Sequence, residues 1–289
     1  METTEVTLPT GFAVGRRWYR SAVLHALTGV DEEFIGAGGF TSPVNRAAAL
    51  LVACLIRLGP KTAVAPADVL SLSVGDRDAL LLQLRRLTFG DRIPAVLACP
   101  TANCGAKMDL DLSVKALLVS PNGKARAVHS SRVKSGGADY EIQFRLPTGA
   151  DQVRVSELAR KDLAAASEQL LRGCIRTVKT NGAQARAGVR IPSSVTEAMG
   201  HRMAELDPQA EILLELKCPT CGQDFRALFD ITEFLFKELR PNREQLYREV
   251  HALALYYHWS ERDILNMSRT RRQIYLRMLD DSLNPEERP

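Results

Sequence analysis

The apolar positions along the chain follow two rhythms, a dominant helical spacing and a short strand-like alternation. Ala47 to Ile56 is an unbroken apolar run between Arg46 and Arg57. Ser42 as cap, Pro43 at the first helical position and the Gly59-Pro60 stop predict a helix across it. A second helix is expected from Asp76 to Leu87, because Leu80, Leu81, Leu84 and Leu87 recur on one face. Arg77, Arg85 and Arg86 occupy its other face and read as a solvated strip. Asp162–Thr177 and Thr196–Leu206 read as further helices. From Asp230 the pattern stays helical nearly to the end, with breaks at Pro241, Trp259 and Met267 and an apolar stripe of Leu246, Val250, Leu253 and Tyr257.

Strand-like alternation is clearest at Tyr140–Leu146. Short apolar stretches also flank two cysteine knuckles: Ala95–Ala98 with Lys107–Leu112, and Glu211–Leu216 with Phe225–Phe229. Leu8–Gly39 reads as loop-rich with one helix around Trp18–Leu27. Its Ile35-Gly-Ala-Gly-Gly39 ending is a plain loop, since no Gly-Lys-Ser/Thr follows. Pro121–Asp139 and Lys179–Val189 are polar loops. The class these elements imply is α+β, mostly helical, with short β-hairpins forming a split four-cysteine zinc ribbon. Three regions are expected: a loop-rich segment 1–40, a zinc-ribbon core 41–232 and a C-terminal helical module 233–289.

An internal duplication is suggested within the core. Leu8-Pro-Thr-Gly11 recurs as Leu146-Pro-Thr-Gly149, and each copy is followed by an alanine-rich helix ending in Cys54-Leu-Ile-Arg57 or Cys174-Ile-Arg176. Each then runs through another helix and a strand into a Cys-Pro-Thr knuckle. The halves would be about 8–115 and 146–232, facing each other so that the knuckles meet.

Composition narrows the function. Lys and Arg number 38 against 34 Asp and Glu, a net charge of +4 that does not mark a nucleic-acid binder. No apolar run approaches the roughly 20 residues of a membrane span, and Met1–Pro9 lacks the apolar region of a signal peptide. The expected setting is a reducing cytoplasm, where six cysteines read as metal ligands or small core residues. Cys54 and Cys174 sit inside helices and read as core packing.

Cys99, Cys104, Cys218 and Cys221 remain. Cys218-x-x-Cys221 supplies one half of a tetrahedral thiolate site and Cys99-x4-Cys104 the other, each flanked by Pro, Gly and strand residues. One structural zinc per chain is expected, and four thiolates leave no open position for catalytic water. The five histidines, His25, His129, His201, His251 and His258, form no metal-helix or triad spacing, and no GxSxG, HExxH or Walker signature occurs. The chain therefore reads as a non-enzyme.

Gly75-Asp-Arg-Asp-Ala-Leu-Leu-Leu-Gln-Leu-Arg85 with Leu87-Thr-Phe-Gly-Asp91, then the Cys-Pro knuckle, resembles the baseplate and baseplate hub assembly chaperone family of T-even-type contractile-tailed phages. Phe144-Arg-Leu-Pro-Thr-Gly149 and Trp259-Ser-Glu-Arg-Asp-Ile-Leu-Asn-Met267 add to the likeness, which extends from Leu8 to about Leu279. Related forms occur in contractile injection systems. The resemblance implies a non-enzymatic baseplate assembly factor, or a structural baseplate component, working in the host cytoplasm during assembly. Its partners would be other tail or baseplate proteins such as hub, tape-measure or wedge components. A zinc-ribbon nucleic-acid binder is the alternative, but only Lys107, Lys217 and Arg226 lie near the knuckles as positive charges. Trp259, Ile264, Ile274, Tyr275 and Met278 are either anchors for a partner or the chain's own core.

Overall fold

The computed structural model describes residues 2–121, 126–184, 191–239 and 243–284. Strands β1 (Thr3–Val14) and β2 (Arg17–His25) form an antiparallel hairpin that turns at Gly15, where φ is 62°. The helix expected at Trp18–Leu27 is therefore a strand. Alternate residues Ala22 and Leu24 are fully buried, which is sheet periodicity. The segment to residue 40 is part of the core: Val6, Leu8, Phe12, Leu24 and Leu27 all pack into the main apolar cluster.

The first helix, α1 (Gly29–Gly36), starts at Thr28 with a capping box closed by Asp31. Helix α2 (Pro43–Cys54) has Ser42 as its cap, but it stops at Cys54 and the chain continues as β3 (Leu55–Leu58), paired with β2. The apolar run thus serves two elements, with Leu55 and Leu58 filling the inner face of a three-stranded sheet β1-β2-β3. After α3 (Pro66–Ser71) comes α4 (Val74–Phe89), the central helix, buried on nearly all sides. Arg77 and Arg85 are each only 2% exposed, so the arginine face is not a solvated strip; of the three, Arg86 alone reaches the surface.

Hairpin β4 (Arg92–Ala98) and β5 (Lys107–Ser113) leads into the short α5 (Val114–Leu117). Part of the expected 121–139 loop is strand: β6 (His129–Ser135) pairs with β7 (Ala138–Phe144), while residues 122–125 lie outside the described residues. Then follow α6 (Gly149–Ala159) and α7 (Leu163–Cys174). Like α2, α7 ends at its cysteine, earlier than expected, and β8 (Ile175–Thr180) continues it, pairing with β7 and with β9 (Ala183–Gln184). The rest of the expected loop, 185–189, lies outside the described residues.

Helix α8 (Ser193–Leu206) packs on this second sheet, with Val195, Met199 and Met203 against Ile142, Phe144 and Cys174. Hairpin β10 (Leu213–Lys217) and β11 (Asp224–Leu228) is followed by α9 (Ile231–Glu238), α10 (Arg243–Tyr257), α11 (Glu261–Leu265) and α12 (Arg269–Leu283). The break expected at Pro241 lies outside the described residues. Of the described residues, helices account for 48% and strands for 28%, the strands in short antiparallel sheets. Helices α10–α12 enclose a small core of their own around Leu253 and Ile264. Trp259 stacks on Tyr257 and meets Tyr275 edge-on, so these rings and Ile264 are internal, and Ile274 and Met278 stay exposed.

The order hairpin, helix, helix, strand occurs twice, from β1 and from β6; the first copy then reaches its cysteine hairpin through α3 and α4, the second through β9 and α8. The Leu-Pro-Thr-Gly words do not mark it. Leu8–Gly11 lies inside β1, whereas Leu146–Gly149 follows β7 and opens α6.

Candidate metal centre

The two cysteine hairpins meet at their tips. Cys99 closes its knuckle by donating its N–H to Ala106 at 2.9 Å, and Cys104 donates to Thr101 at 3.0 Å. Asn103 and Gly105 turn the chain with positive φ. In the second knuckle Cys218 donates to Gln223 at 3.0 Å, Gly222 donates back to Cys218 at 2.9 Å, and Gly222 has φ 75°. These tight turns bring both sulfurs of each hairpin to one side. Met108, Leu97, Leu110 and Phe225 pack beneath them.

The four Sγ atoms lie within 4.8 Å of one another. Cys99 and Cys221 are 3.8 Å apart, as are Cys104 and Cys218. A tetrahedral ion with metal–sulfur bonds of about 2.3 Å requires sulfur–sulfur edges of about 3.8 Å. Each of these short edges joins one hairpin to the other, so neither knuckle alone makes the site. Amide N–H groups of Cys221 and Thr220 hold the Cys218 thiol down to about 6, which favours a thiolate ligand there. The Ala106 amide also pulls Cys104 down, but desolvation and the neighbouring thiols outweigh it and leave Cys104 at about 12. Crowded thiols resist ionising together, and a cation among them removes that conflict. The set can hold one metal ion.

A second group, His25, Asp31 and Cys54, also clusters. Both ring nitrogens of His25 lie 2.9 Å from carbonyl oxygens, those of Ala26 and Ala53. Carbonyls only accept, so the ring N–H is taken up by the backbone whichever nitrogen carries it. Burial, then the charge of Asp31, pushes the Cys54 thiol well above its usual value. This group is a buried polar strut.

Other buried struts give no periodic signal in the sequence. Asp76 accepts the N–H of Thr10, the hydroxyl of Thr10 and the N–H of Gly11 at 2.8–2.9 Å, tying α4 to β1. Asp207, from beyond α8, accepts the Gly75 N–H at 3.1 Å at the start of α4. Arg85 clasps Glu238 of α9 with two bonds of 3.0 and 2.8 Å and donates to the Gly90 carbonyl. Burial raises the carboxyls of this region: Asp78 to about 8, with Asp230 and Asp207 adding to the effect, and Asp207 to about 6, with Asp76 adding. The Gly75-Asp-Arg word is thus the hub of these contacts.

Residues 60–236 match the family described as T4 bacteriophage base plate protein. The chain belongs to this family. The match covers more than half of the chain, running from just after β3 into α9, and takes in both cysteine hairpins, Gly75–Asp91 and Phe144–Gly149. Trp259–Met267 lies outside it. No curated protein and no solved structure gives a match. Among the described residues of this baseplate-family protein, no helix is long and apolar enough to cross a membrane.

Proposed function

We propose that this chain is a non-enzymatic assembly factor of the phage baseplate, a hub assembly chaperone or a structural baseplate component, and that one structural zinc ion on Cys99, Cys104, Cys218 and Cys221 holds its halves together. The observation that carries the reading is the convergence of four thiols at tetrahedral spacing, from hairpins more than a hundred residues apart, in a chain of the baseplate family. An all-thiolate tetrahedral set suits zinc, and such an ion contributes about 10 kcal/mol or more to folding, enough to close a loop of this length. The function is then to bind other tail and baseplate proteins.

The nucleic-acid alternative gains no support at the knuckles. Arg226 is paired with Glu215 at 3.0 Å, and at the far end of the other hairpin Arg92 is paired with Asp111 at 2.7 Å. The hairpins carry acids beside their bases, a poor surface for phosphates.

The test has two readouts on the full-length protein. Elemental analysis should find about one zinc per chain, and Cys221→Ser should lower both zinc content and Tm. Tagged protein expressed with the phage tail genes should capture baseplate subunits, and deleting its gene should block baseplate formation. Protein that is fully folded without metal overturns the zinc assignment; normal baseplates without the gene overturn the assembly role.

A further inference from the structure

The recurring order of elements becomes residue-by-residue once the structure sets the register. Residues 22–58 map onto 142–178 without insertion or deletion. Thr28 and Thr148 each begin a helix with a capping box to Asp31 or Asp151. Ser42 and Asp162 each cap the next helix, which ends at Cys54 or Cys174 and continues as a strand. The strand pairs Leu24↔Leu55 and Phe144↔Ile175 correspond, each beside a register shift. Even the strut corresponds: Arg145 stands where His25 stands, donating to the carbonyls of Leu146 and Gly173 and pairing with Asp151.

A second pair of segments is also related. Asp68-Val-Leu-Ser-Leu-Ser73, followed by Arg77, parallels Asp263-Ile-Leu-Asn-Met-Ser268, followed by Arg272. In each, a short helix leads into a long one capped by its serine. The two long helices start against the two Thr-Gly helix starts in the same way. Val74 donates to the Pro147 carbonyl at 3.1 Å and Gly149 to Leu72 at 3.3 Å, while Arg269 donates to Leu27 at 3.1 Å and Gly29 to Met267 at 3.3 Å. A Cβ at Gly29 would fall 2.9 Å from the Leu265 side chain and 3.0 Å from its backbone, and one at Gly149 would fall 2.8 Å from the Arg77 guanidinium.

The two joints differ in charge. In one, Arg77 donates to the neutral Gln152 at 2.7 Å. In the other, Glu32 takes the place of Gln152 and receives both Arg272 at 2.7 Å and Arg269 at 3.0 Å, with Arg272 fully buried and also paired with Glu249 at 3.2 Å. Val74 occupies the position of Arg269, so the neutral joint has one arginine and the acidic joint two.

We infer that the chain is an internal duplication in which two homologous helix-start sockets, Thr28–Glu32 and Thr148–Gln152, each hold a homologous helix pair from the other half, and that Glu32 assigns the C-terminal pair α11–α12 to the first socket. Glu32 and Arg269 are the specificity residues of this joint. Putting Arg269 opposite Gln152 would leave a half-buried cation without its counter-charge, and putting Val74 opposite Glu32 would leave the carboxylate with one arginine instead of two.

The test makes the first socket and its pair copy the second, with Glu32→Gln and Arg269→Val in the full-length chain. Amide exchange is then followed at Gly29 and Arg269, and at Val74 and Gly149 as the internal control. Exchange at Gly29 and Arg269 should quicken at least tenfold, with the control amides unchanged. Unchanged rates at all four amides overturn the proposal, and so does equal acceleration at all four, which would make Glu32 a general stability strut. If the double variant does not fold, the isosteric Glu32→Gln alone is read by the same criteria.

Discussion

Replacing Asp207 by Asn should stabilise this protein above neutral pH. Asp207 is 2% exposed, and its Oδ1 has no hydrogen-bond partner among the described residues while Oδ2 accepts the Gly75 N–H. Burial first, and the Asp76 carboxylate second, raise its carboxyl from 3.8 to about 6. The folded state therefore holds this proton more tightly than the unfolded chain does. The contribution is complete below pH 3.8 and is lost as pH rises through 6. At 1.36 kcal/mol per pH unit, the ionised carboxylate costs the fold about 3 kcal/mol at pH 7 relative to the acid. Asparagine keeps an acceptor for Gly75, never ionises, and turns an N–H donor toward the acidic neighbours. Urea melts of wild type and Asp207→Asn at pH 4.5, 6 and 7.5 provide the assay. Asp76 and Asp78 also have raised carboxyls and are coupled to Asp207, so the variant-minus-wild-type difference reports Asp207 together with the relief of its acidic neighbours. That difference should grow with pH toward about 3 kcal/mol. A difference that stays flat between pH 4.5 and 7.5 refutes the reasoning.

Gly75→Ala should cost about 2 kcal/mol in a thermal melt, because the new Cβ falls 1.9 Å from Asp207 Oδ1 and displaces the carboxylate that caps α4. Arg85→Met should cost about 3 kcal/mol, since it strands Glu238 and the Gly90 carbonyl. The double variant Arg85→Met/Glu238→Met should recover part of that loss, and a strictly additive double variant in denaturant titrations would argue against the pair.

The cysteine hairpins were legible because knuckle chemistry is local: Pro, Gly and the cysteine spacing state the turn within a few residues. The cap at Ser42 was legible for the same reason. The ends of α2 and α7 were not, because a buried helix and a buried strand are both continuous apolar runs. Only pairing with β2 or β7 makes Leu55 and Ile175 extended. Arg77 and Arg85 misled because a charged residue normally marks a solvated face, and their acceptors, Gln152 and Glu238, are remote in sequence. A word match hides the repeat register. Leu8–Gly11 and Leu146–Gly149 are identical in letters, yet the counterpart of Leu146–Gly149 is Ala26–Gly29, which shares only Thr and Gly with it. What the duplicated starts share is the Thr-Gly-x-Asp cap, a requirement of geometry.

The family match separates the two joints. The neutral joint, Leu72–Arg77 with Pro147–Gln152, lies wholly inside residues 60–236, as do the four thiols. The ionic joint, Leu27–Glu32 with Met267–Arg272, lies wholly outside, one side before the match and the other after it. The packing divides the same way. Val69 and Leu72 of the first helix pair belong to the main core, whereas α10–α12 close around a separate one. A module with its own core gains less apolar burial by docking, so the joint to socket one leans on ion pairs and on two backbone hydrogen bonds. Buried ion pairs contribute specificity more than net stability. Joint one should therefore open before joint two, leaving the thiol centre and the central helix intact. The part of the molecule most free to change contacts during assembly is then the C-terminal helical module, whose exposed Ile274 and Met278 face away from its own core.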